Sequence, residues 1–159
     1  MVQPDEKATV SDPNFPLVRL PFEYESHRST KRLDLSEGQE CRLIDAPGPG
    51  AVRHIWITSK APKELQLEIA CDDAREPQIK MSMLQFFGVL FGNDPYRIES
   101  AAIKVLPEWA YSSYLPIPFQ SSCRITLRNT STKPVSVWSM VNWQRYNRET
   151  VVTPFRLHA

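Results

Sequence analysis

A chain of 159 residues fits one domain, and a domain of about this size buries roughly 70% of the surface its unfolded chain exposes, so a substantial core is expected. Nineteen lysines and arginines nearly cancel 18 aspartates and glutamates, and the basic residues are scattered rather than gathered in a stripe, which argues against nucleic acid as a partner. Met1–Asp12 is polar, and no stretch approaches the ~20 apolar residues of a membrane span, so the expectation is a cytoplasmic protein without membrane contacts.

Fourteen prolines against five glycines, with no long stretch of helical period, favour short strands joined by turns. Met1–Pro16 reads as an N-terminal arm, residues 17–145 as the domain and 146–159 as a C-terminal tail. Such arms in β-sandwiches often run over a neighbouring subunit. Strands are predicted at Lys31–Leu35, Gln39–Asp45 and Ala51–Thr58, separated by Ser36-Glu37-Gly38 and Pro47-Gly48-Pro49-Gly50. In Glu64–Cys71, Leu65, Leu67, Ile69 and Cys71 share one face while Gln66 and Glu68 take the other, the period-2 signature of a half-buried strand. Asp72–Pro77 is a turn, followed by strands at Gln78–Leu84, Arg97–Val105 and Trp109–Leu115, with Pro116-Ile117-Pro118 as punctuation. In Ser122–Asn129 the inward set is Cys123, Ile125 and Leu127. The last strand, Pro134–Gln144, puts Val135, Val137, Val141 and Trp143 on one side and Trp138 and Met140 on the other, which predicts apolar neighbours on both faces. About eight strands without a helical crossover give an all-β fold, an antiparallel β-sandwich of single jelly-roll order, with immunoglobulin-like topology as the alternative.

Chemistry-bearing motifs are few. There is no G-x-S-x-G elbow, no phosphate-cradling glycine loop and no H-E-x-x-H helix. His27, His54 and His158 are scattered and suggest no metal site or cofactor. His54 alternates with Val52 and Trp56 and reads as a packed or hydrogen-bonded strand residue. Cys41, Cys71 and Cys123 are odd in number and far apart, which argues against a disulfide framework or a zinc clip and for reduced core thiols. Asp72, Asp73 and Glu76 could supply a general acid and base for sugar hydrolysis, but two aspartates before Pro77 are also ordinary turn chemistry, the favoured reading. Phe86, Phe87, Trp109 and Tyr111 could stack on sugar rings. They could equally fill the core or an oligomer interface, and those uses are favoured.

The order of segments carries a further signal. Gly48-Pro49-Gly50-Ala51-Val52-Arg53-His54-Ile55-Trp56, then Asp72–Pro77, Gln85-Phe86-Phe87-Gly88 and Tyr114-Leu115-Pro116-Ile117-Pro118-Phe119 together resemble the first jelly roll of glycoside hydrolase family 172, formerly domain of unknown function 2961. That family includes α-D-fructofuranosidases, difructose dianhydride I synthase and D-arabinofuranosidases. The resemblance runs from about Ser26 to the end. It implies tandem jelly rolls assembled as trimers or hexamers, likened to double jelly-roll capsid proteins, with the two catalytic carboxylates in Glu-Asp-Tyr-Phe and Glu-His-Gly segments of the second roll. Neither segment occurs in this chain, so no catalytic residue carries over. Pro154–Ala159 resembles the stretch leading into the second roll. The resemblance therefore implies a non-catalytic, homo-oligomeric single roll, a homo-trimer or homo-hexamer with a scaffolding or carbohydrate-binding role. The alternative is a furanoside hydrolase whose site forms between subunits, with Asp72, Asp73 or Glu76 as the acids.

Overall fold

Alternating apolar residues must find an apolar surface to face, and in the computed structural model they do so across two antiparallel sheets. The structure describes residues 24–91, 94–107 and 110–159. The eleven strands among them are β1 (Tyr24–Leu35), β2 (Glu40–Pro47), β3 (Gly50–Ser59), β4 (Leu65–Cys71), β5 (Ile79–Ser82), β6 (Ile98–Glu99), β7 (Ile103–Leu106), β8 (Ala110–Ser113), β9 (Ile117–Phe119), β10 (Ser122–Asn129) and β11 (Val135–Tyr146). One sheet has the order β1-β11-β3-β8-β7-β6, with β9 also paired to β3, and the other has the order β2-β10-β4-β5.

The pairing is nested. β1 pairs with β11, β2 with β10, β3 with β8 and then β9, and β4 with β5. Outermost strands thus pair with each other and β1 to β4 alternate between the sheets, the wrapping of a hairpin that defines a jelly roll. Eight strand positions make the roll, with β8 and β9 as two pieces of one position, and β6 and β7 extend the larger sheet. The expected all-β jelly roll is therefore the observed fold.

The core lies between the sheets. Val52, Ile55, Ile57, Val137 and Val141 of the larger sheet meet Leu65, Leu67, Ile69, Cys123, Ile125 and Leu127 of the smaller one, all essentially buried. At roughly 1.5–3 kcal/mol per large apolar side chain removed from water, this face-to-face packing is the principal stabilising term. The Ser29 hydroxyl reaches across the layer to the Leu43 carbonyl at 2.7 Å, which fixes the odd-numbered residues of β1 as its inner face.

Several local expectations change. Strand Gln78–Leu84 stops at Ser82, and Met83–Phe86 form a one-turn helix, α1. Ser82 and Gln85 make reciprocal capping-box hydrogen bonds there, satisfying backbone donors that a strand would have paired. Arg97–Val105 is broken between β6 and β7, where the Ser100 hydroxyl takes the amides of Ala102 and Ile103. Ile117–Phe119 is a strand rather than a turn, because Gly50–Val52 offers it an edge. The pairing of β11 with β3 shifts between Asn142 and Trp143, leaving Arg53 unopposed. This bulge reverses the alternation, so Val52 points inward while His54 and Trp56 point outward, not to one face together. The arm Met1–Pro16 lies outside the described residues.

Candidate functional site

The acidic turn after β4 is a structural clasp. Asp72 and Asp73 both adopt left-handed backbone conformations, with φ of 58° and 55°, and the Ala74 amide closes the turn onto the Cys71 carbonyl at 3.3 Å. Two such residues in succession form the strongly curved type I′ turn that glycine and asparagine usually supply. Side-chain bonds offset the strain. Asp72 accepts the amides of Gln120 and Ser121 at 2.6 and 2.8 Å and pairs with Arg156 from the C-terminal segment. Asp73 accepts the hydroxyls of Ser121 and Ser122 at 3.0 and 3.1 Å. Burial opposes ionisation of Asp72, but the Ser121 amide, Arg156 and the Gln120 amide together hold its carboxyl below the usual range. A carboxylate so committed cannot serve as a proton donor near neutral pH. Glu76 is exposed beside this turn.

The aromatic candidates divide. Phe87 and Tyr111 are fully buried and Phe86 is 8% exposed. Phe86 and Phe87 meet edge-on at 5.1 Å, and Phe87 lies 5.7 Å from Tyr111. These rings fill the sandwich, the favoured use of the two, and offer no face to a sugar. Desolvation also pushes the Tyr111 phenol up to about 12. Trp109 lies outside the described residues.

The two outward faces of the sandwich differ in kind. On the smaller sheet, charges of both signs neighbour one another: Arg42 with Asp45 at 2.6 Å, Lys80 with Glu68 at 2.9 Å, Arg128 with Glu40 at 3.6 Å. This is a solvated, self-compensated surface. The larger sheet shows Trp56 beside Met140 and Ser112, Thr58 beside Trp138, and His54 beside Asn142 in register. Trp56, Trp138 and Met140 are half-buried, and Tyr114 is 44% exposed. The apolar neighbours expected on the second face of β11 are these strand neighbours, and among the described residues no further layer covers them.

Polar groups on that face are ordered around the rings. The Arg32 guanidinium lies 5.6 Å from the Trp138 ring centre. Arg28 Nε donates to Asn142 Oδ1 at 2.8 Å, and Asn142 Nδ2 lies 3.2 Å from His54 Nδ1. His54 stacks on Tyr114 with ring centres 4.5 Å apart. Burial and the nearby Arg28 hold His54 below its ordinary value, so it is neutral at neutral pH, and its Nε2 is buried without a partner among the described residues. Beside it a groove of about 490 Å³ is lined by Ser26, Arg28, Arg53, Asn142 and Gln144 among others. Sequence reasoning missed this network, because neither β11 nor β3 reveals the other as its neighbour; the outward Trp138 and Met140 were its signal. Among the described residues no cluster of three or more His, Cys, Asp or Glu could hold a metal ion, and no helix is long and apolar enough to cross a membrane.

Comparison with known proteins adds the family. The family model described as the GH172 first beta-sandwich domain matches residues 23–159. No curated protein matches. Among solved structures, the acidic stable capsid of Helicobacter pylori bacteriophage KHP30 is similar at 10% identity and a TM-score of 0.46, over 84% of this chain and 98% of that one. The capsid asymmetric unit of cyanophage Pam1 is similar at 10% identity and a TM-score of 0.38, over 87% and 94% of the two chains.

Proposed function

Given that the chain belongs to glycoside hydrolase family 172 through its first β-sandwich domain, we propose that it is a non-catalytic building block that associates with copies of itself through the outer face of the larger sheet. The observation that carries this reading is the contrast between the two faces. One neutralises its own charges; the other presents tryptophan, tyrosine, methionine and arginine, the residue types enriched in protein interfaces and their hot spots. The charge distribution supports a ring. β1 and β3 bring Arg28, Arg32 and Arg53 to this face against Asp34, whose carboxylate already accepts the Ser136 hydroxyl at 2.6 Å. Packing the face against its own copy would bring arginines together, whereas packing it on a different surface of the next copy avoids this and closes into a ring when the rotation permits. A trimer or hexamer is the expected assembly.

The clasp bonds of Asp72 and Asp73 favour this reading over a furanoside hydrolase built on the same loop. Light scattering after size exclusion tests it: the intact chain should run as a trimer or hexamer and Trp138→Glu as a monomer. A wild-type monomer at tens of micromolar would sink the proposal. The groove beside Asn142 supports a second reading, a furanoside oligosaccharide bonded by Arg28 and Gln144. Calorimetric titration with fructo- and arabino-oligosaccharides should then give heats that Arg28→Ala removes, and absence of heat in the wild type would discard it.

A further inference from the structure

Cys71 ends β4 and Cys123 is the second residue of β10, and the two are opposite one another in the antiparallel register. Backbone bonds define the kind of pair. The Asp72 amide donates to the Ser122 carbonyl at 2.9 Å, while the Cys71 amide donates to Gln78 Oε1 and the Cys71 carbonyl accepts from Gln78 Nε2, each at 2.8 Å. Cys71 and Cys123 are therefore a non-hydrogen-bonded pair, the closer class, with Cα atoms about 4.5 Å apart in general. That spacing falls within the range a disulfide spans. Both thiols point into the core, are reduced, and have their sulfurs 3.3 Å apart.

The end of the chain is anchored beside this pair. Arg156 pairs with Asp72, Leu157 packs against the core, and the Ala159 amide donates to the Gln78 carbonyl at 3.0 Å. A segment held by so few contacts opens without unfolding the sheets. The contact with Cys123 draws the Cys71 thiol below its usual range against burial, with Arg156 adding to the effect. The same contact and burial push Cys123 up. Cys71 is also the less deeply buried of the two, 3% against 0% exposed.

We infer that Cys71 and Cys123 form a reversible intramolecular disulfide, with hydrogen peroxide as the oxidant and the C-terminal segment as its gate. The Cys71 thiolate attacks one peroxide oxygen and the O–O bond breaks, leaving a sulfenic acid and hydroxide, which takes a proton to become water. Cys123 sulfur then attacks Cys71 sulfur; the S–O bond breaks, and the second water leaves with the Cys123 proton. Two thiols and one peroxide become one disulfide and two waters. The bond ties β4 to β10 across a sequence separation of 52 residues.

The test uses the folded full-length chain and its Cys41→Ser variant, which removes the remaining thiol. After stoichiometric peroxide, intact mass should fall by about 2 Da and denatured alkylation should find no free thiol in the variant. Peptide mapping should recover a Cys71–Cys123 link from both proteins. The thermal midpoint should rise by roughly 5–10 °C and return with dithiothreitol. Leu157→Ala, which loosens the C-terminal segment and leaves the Arg156 charge in place, should accelerate the oxidation. Two results would overturn the inference: thiols that remain alkylatable while Cys41 of the wild type oxidises, or sulfinic acid accumulating at Cys71 without the link. The mapping is read on the wild type, so it does not depend on any variant folding.

Discussion

Asn129 shows how much one side chain can organise. Fully buried at the end of β10, it donates from Nδ2 toward the carbonyls of Leu35, Ser36 and Lys133 at 2.9, 3.1 and 2.7 Å. Its Oδ1 accepts the amide and hydroxyl of Ser131, both at 2.9 Å. It thereby joins the end of β1, in one sheet, to the end of β10, in the other. Asn129→Ala would strand those carbonyls without water and should cost about 2–4 kcal/mol in urea unfolding, and Asn129→Asp should cost more because its oxygens would face three carbonyls. Asp72 acts at the opposite end of β4. Its folded pKa is depressed, so the stability it contributes is complete above the unfolded value of about 3.9 and is lost as pH falls through the folded value. Asp72→Asn should lower stability at neutral pH by about 1–3 kcal/mol and flatten the decline below about pH 4. An unaltered acid limb in urea midpoints would show that another carboxylate dominates.

Among the elements, β3 is constrained on both edges, with β11 along one and β8 and β9 on the other. Gly50 opens it where these neighbours converge. A Cβ there would strike the Gln144 carbonyl and lie 2.7 Å from the Phe119 ring, neither of which can retreat from a buried sheet. Gly50→Ala should therefore destabilise by about 1–3 kcal/mol in thermal unfolding, whereas Gly38→Ala meets no neighbour and pays only for its φ of +65°. The glycines in Pro47-Gly48-Pro49-Gly50 stand out in the sequence as punctuation, but the reason for Gly50 is close approach. Helix α1 reads in the sequence as the end of a strand. Its Ser82 and Gln85 have the capping-box spacing, which the apolar residues around them masked by also satisfying a strand pattern.

For the whole molecule, the decisive property is that two sheets share one core but have unlike exteriors. Self-association through the larger sheet predicts an asymmetry in mutants: Trp56→Lys and Trp138→Glu should lower the solution mass, while Arg124→Gln on the smaller sheet should leave it unchanged. If both faces respond alike, the contrast between them does not govern assembly. The C-terminal segment belongs to this scale as well. Residues of the expected tail turn back along their own domain, with Gln120 bonding the Thr150 carbonyl at 3.2 Å and the Val152 amide at 2.8 Å.

By itself the sequence determined the strand content, the inward residues of β4 and β10, most turns and the family, because side-chain alternation and turn chemistry are local properties written into a few consecutive residues. Tertiary structure alone decided the rest. The Arg53 bulge that turns His54 outward depends on β11, the commitment of Asp72 depends on Gln120, Ser121 and Arg156, and the burial of Phe87 and Tyr111 depends on which elements close over them. Each of these is a relation between residues distant in the chain, and nested pairing of first strand with last sets such relations only when the roll has closed.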